Sequence, residues 1–90
     1  MEKIYLVILE NEDREKLAME AYKNIDDARV CLKEMYAESK RTVAKNQGVD
    51  ESELVCAYNV SKFNIPKEFF YVDDCCGESL YGEIHELDLK

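Results

Sequence analysis

Residues 4–9 (Ile4-Tyr5-Leu6-Val7-Ile8-Leu9) form an unbroken apolar run between Lys3 and Glu10. Its β-branched and aromatic content predicts a strand. Both alternating sets, Ile4/Leu6/Ile8 and Tyr5/Val7/Leu9, are apolar. A strand with one wet face alternates, so this one is expected in the sheet interior with both faces covered. Asn11 to Glu15 is polar and reads as a turn. The next run, KLAMEAYK over residues 16–23, has no clean period of its own. The five-residue polar link before it suits a hairpin, which predicts a second strand returning antiparallel.

Asn24 then precedes two aspartates and a long periodic run. An asparagine there accepts from free amides of a first helical turn, and Asp26 and Asp27 suit the positive end of the helix dipole. Ile25, Ala28, Leu32, Met35, Tyr36, Ser39 and Val43 recur at helical spacing. The run ends near Asn46, with Gly48 beyond it as the residue that tolerates positive φ. Asp50 with Glu53 has capping-box spacing, so residues 54–60 read as a short helix, or as a strand on the strength of Val55 and Val60. Ile65-Pro66 breaks the chain. EFFYVD (residues 68–73) predicts a strand, residues 74–79 a turn around Gly77, and residues 80–89 the returning strand. In that last strand the apolar phase slips, with Leu80 and Ile84 on one parity and Leu87 and Leu89 on the other. A bulge near His85-Glu86 is the expected reconciliation.

These elements predict a single α+β domain over residues 1–90, in ββα…ββ order. A small antiparallel sheet of three to four strands carries one long helix on one face. One helix leaves the second face of residues 4–9 uncovered. Either residues 54–60 or a second copy of the chain is expected to cover it.

Composition narrows the functional classes. Ninety residues leave room for one core, and 47% apolar side chains suffice to build it. Twenty acidic against 12 basic residues give a net charge of −8. That balance repels phosphate backbones and anionic lipid, so direct nucleic-acid or membrane binding is not expected. A protein partner with a basic surface is. The apolar run after Lys3 is too short for a secretion signal, and the four cysteines lack secreted-scaffold spacing. Both features predict a cytoplasmic protein with reduced thiols.

Candidate chemistry is thin. Cys75-Cys76, flanked by Asp73, Asp74 and Glu78, is the densest cluster and the weak candidate for a soft metal or redox pair. Adjacent cysteines chelate one tetrahedral ion poorly, and nearby carboxylates raise thiol pKa. The expected reading is a turn with bystander thiols, and no cofactor is implied. The carboxylates there also lack the order of a calcium loop. His85 is the only histidine. On an extended strand it lies roughly 30 Å from Cys75 and Cys76, too far for a shared catalytic site. No phosphate-binding, nucleophile-elbow or zinc-finger motif occurs. Between Asp73 and Lys90 lie six acids and, apart from His85, one base. Glu83, Glu86 and Asp88 in that segment are the expected interaction residues, with Glu86 and Asp88 on one strand face. The chain is therefore expected to be a non-enzymatic interaction module or inhibitor acting through an acidic surface, or through an apolar sheet face that pairs. A small-molecule or metal-binding regulatory domain using the Cys75-Cys76 turn is the alternative.

Overall fold

The cap, the periodic face and the stop between Asn24 and Gly48 produce one helix. The structure, a computed structural model, describes residues 2–62, 67–74 and 77–89. Helix α1 spans Ile25–Gln47. Asn24 Oδ1 accepts from the Asp26 amide at 2.8 Å, as an N-cap should. Gly48 ends the helix at φ 67°, and the Val49 amide donates to the Ala44 carbonyl at 3.0 Å. Ala28, Leu32, Ser39 and Val43 are buried, so the periodic face is the one that packs.

Five strands form one antiparallel sheet: β1 (Glu2–Asn11), β2 (Lys16–Tyr22), β3 (Val55–Val60), β4 (Glu68–Asp73) and β5 (Ser79–Leu89), in the order β2-β1-β5-β4-β3. The α+β class, the single long helix and the β1–β2 hairpin are as the sequence predicts, with one strand more. That strand is β3. The capping interaction at Asp50 exists, with its amide donating to the Glu53 carboxylate at 3.1 Å, but it starts only a single 3-10 turn, Glu51–Glu53. Beyond it the period is two: Cys56 and Tyr58 turn toward the core while Val55 and Ala57 turn away. Six ladder pairs with β4 and the packing of Tyr58 on Tyr36, rings 5.7 Å apart, outweigh a one-turn helical start. The helical alternative for residues 54–60 is therefore corrected. The Ile65-Pro66 break lies outside the described residues.

Val7, Phe70, Val72, Leu80 and Ile84 from the sheet meet Ala28, Leu32 and Val43 of α1 in the core. Gly82 lets the ring of Phe70 cross β5, since a methyl group there would overlap the ring. The bulge expected near His85-Glu86 is absent. β5 pairs with β1 residue for residue from Glu2↔Leu89 to Asn11↔Leu80, so the phase slip is real: Leu80 and Ile84 face α1, and Leu87 faces away. A bulge does occur in β2, where Leu9 pairs with Ala18 and Glu10 with Lys16, leaving Leu17 extra.

Candidate interaction surface

Opposed residues in a sheet share a face, so the registers divide the side chains cleanly. Tyr5, Val7 and Leu9 lie under α1. Ile4, Leu6 and Ile8 lie on the back, where Ile4 opposes Leu87, Leu6 opposes Ala21 and His85, and Ile8 opposes Met19 and Glu83. Phe69, Tyr71 and Tyr81 extend this back face toward β3. Among the described residues no element packs over it, because β3 joins the sheet as an edge strand. The expectation that residues 54–60 cover the second face of β1 is corrected accordingly. Met19, Leu87 and Val55 are about half exposed, at 55%, 46% and 47%, whereas Ile4, Leu6 and Ile8 are partly buried.

Carboxylates punctuate this apolar face. Glu83 stands in its middle, 2.7 Å from His85 Nε2. Glu10 pairs with Arg14 at 3.9 Å, and Arg14 also stacks over Tyr81 at 4.6 Å. Glu86 and Asp88 do share a face, but it is the one opposite Glu83. Glu86 sits between Lys67 at 3.3 Å and Lys3 at 3.5 Å. Desolvation raises its pKa, and those two cations outweigh it, so its carboxyl is held below the ordinary range. The three expected interaction residues are thus split between two surfaces, and Glu83 belongs to the open one.

Two polar clusters on the α1 side of the sheet have no motif in the sequence. Glu68 is 2% exposed and accepts from Arg29 Nε and from the Tyr58 hydroxyl, the latter at 2.5 Å. Burial pushes the Tyr58 hydroxyl well above its ordinary pKa, and the bond to Glu68 adds to the rise. The only sequence signal was an acid at the start of a strand whose even positions are otherwise apolar, Phe70 and Val72. In the second cluster the Cys31 thiol and the Tyr22 hydroxyl both donate to Glu20, at 3.1 and 2.9 Å. Desolvation raises the Cys31 pKa, the opposite of what a nucleophilic thiol needs. Cys31 and Cys56 lie on the α1 side and His85 on the back, so the sheet separates them.

Asp73 closes β4 opposite Ser79 and Val55, and Asp74 Oδ1 accepts from the Glu78 amide at 3.1 Å. Cys75 and Cys76 lie outside the described residues. Among the described residues no three His, Cys, Asp or Glu side chains converge as metal ligands. No helix there is long and apolar enough to cross a membrane. A cleft of about 750 Å³ opens between α1 and the β1–β2 end, walled by Leu9, Leu17, Ala18, Met35 and Leu80. Its carboxylates are engaged within the chain: Glu12 by the Ser79 amide, Glu38 by Arg41 and Glu78 by Asn46 and Gln47. Comparison with models of protein families, with curated proteins and with solved structures finds no match.

Proposed function

We propose that this chain is a non-enzymatic protein-interaction module of the cytoplasm that docks a partner with a basic surface through the open back face of its sheet. One observation carries the reading: an apolar sheet face, centred on Ile4, Leu6 and Ile8, over which no described element packs. A one-sided antiparallel sheet normally turns polar residues to water, and monomers seldom display contiguous apolar patches of this kind. Desolvating these side chains supplies affinity, at about 25 cal/mol per Å² of apolar surface removed from water. Glu2, Glu10 and Glu83 share the face, and the chain as a whole carries −8. Electrostatic complementarity of that sign selects and orients a basic partner.

The test is capture from the source cell with wild type and with Leu6→Glu as baits, followed by reconstitution of the retained protein from purified components. The reading expects a basic protein that binds wild type, releases at high salt, and binds Leu6→Glu at least about tenfold more weakly, a loss of 1.4 kcal/mol. Equal binding to both baits contradicts it.

A further inference from the structure

Beyond that docking face, we propose that β3 pairs antiparallel with the β3 of a second copy, joining two five-stranded sheets into one of ten strands. The two edges of the sheet differ in how they are protected. Edge strands are usually blunted by charges, proline or a bulge. β2 carries Lys16 and Glu20, with its bulge at Leu17. β3, Val55-Cys56-Ala57-Tyr58-Asn59-Val60, has no charge and no proline, and its register with β4 is unbroken over six pairs.

Its outer side, along which no described strand lies, presents backbone groups ready to pair. The Ser61 amide donates to the Lys67 carbonyl at 2.9 Å, continuing the β3–β4 ladder by one step. Antiparallel alternation then turns the N–H and C=O of Cys56, Tyr58 and Val60 away from β4. Val55 and Val60 are 47% and 66% exposed.

Charge identifies the occupant as another copy. Two chains of −8 repel over most approaches, and an uncharged edge is where that repulsion is least. Asp50, Glu51 and Glu53 precede β3, and Lys62 follows it. A two-fold axis normal to the sheet runs the strands antiparallel and sets the acidic lead-in of one copy beside Lys62 of the other, an isologous match made twice. The same axis keeps both open faces on one side, doubling the docking surface.

Sedimentation equilibrium of the full chain, from about 10 to 500 µM, tests this. Wild type is expected to show a concentration-dependent dimer. Val60→Pro removes an outward N–H that β4 does not use and should weaken the dimer at least about tenfold, with the cooperative melt retained. Asn59→Lys, which places a charge on the edge, should do the same, and it decides the matter if the proline variant does not fold. A wild type that stays monomeric overturns the proposal, as does a dimer that a folded edge variant leaves as tight as wild type. A dimer lost only in Leu6→Glu also overturns it, since the open face would then be pairing the copies. Partner binding is read from Leu6→Glu and self-association from the edge variants, so either result stands without the other.

Discussion

Gly82 occupies the α1 side of β5 beneath the ring of Phe70, and no side chain fits between them. Gly82→Ala should therefore displace Phe70 from its contact with Tyr36, where the rings are 5.2 Å apart. The expected cost is about 1–3 kcal/mol in denaturant melts, as for other overpacked cores. The ion pair beneath α1 makes a second residue-scale prediction. Arg29→Met leaves the carboxylate of Glu68 buried without its cation. The Arg29 side chain is 41% exposed, so the loss should be about 1–3 kcal/mol, short of the 3–5 typical of a fully buried pair. Tyrosine titration gives a third. Tyr58 and Tyr36 are raised above their ordinary pKa of 10.0 chiefly by burial, and Tyr22 by its hydrogen bonds with Cys31 and Glu20. Their protonated forms are favoured in the native state, so the unfolded chain binds fewer protons once the pH exceeds about 10. Stability should be fully present below that pH and fall above it. Melts across the alkaline range should show a shallower decline in Tyr58→Phe.

At the scale of elements, α1 was legible because its signals are local. Asn24, the apolar spacing through Val43, and Gly48 each act within a turn or two of chain. Asn24→Ala should accordingly cost on the order of 1 kcal/mol, measured by thermal or denaturant unfolding. β1, β4 and β5 were legible from β-branched and aromatic runs bounded by turns, and β2, which has no clean period, from the five-residue polar link that suits a hairpin. β3 was left open between helix and strand, because the capping signal at Asp50 and Glu53 is local and real, whereas what decides for the strand that Val55 and Val60 suggested is a ladder with β4 and the partial burial of Tyr58. The phase of β5 misled for a different reason. A slip in apolar parity signals a bulge only if one face is apolar, and here Leu87 serves the back face and Ile84 the core. The Arg29–Glu68–Tyr58 cluster joins residues up to 39 apart in sequence, and no spacing rule reaches that far.

For the whole molecule, the apolar run of β1 implied two covered faces, and the described residues supply one layer. α1 buries Val7 completely, while Leu6, its neighbour, looks out from the sheet's back beside Ala21 and His85. The most direct test of that asymmetry is the thermal midpoint of Val7→Glu set against that of Leu6→Glu. A carboxylate at Val7 would sit in the core without a partner, and for a domain whose total stability is about 5–13 kcal/mol the cooperative transition should be lost or lowered by tens of degrees. Leu6→Glu should shift the midpoint by no more than about 8 °C, the equivalent of about 1 kcal/mol in a domain this size. Equal losses from the two substitutions would mean that both faces of β1 are buried within the folded chain, and the open docking face would not exist.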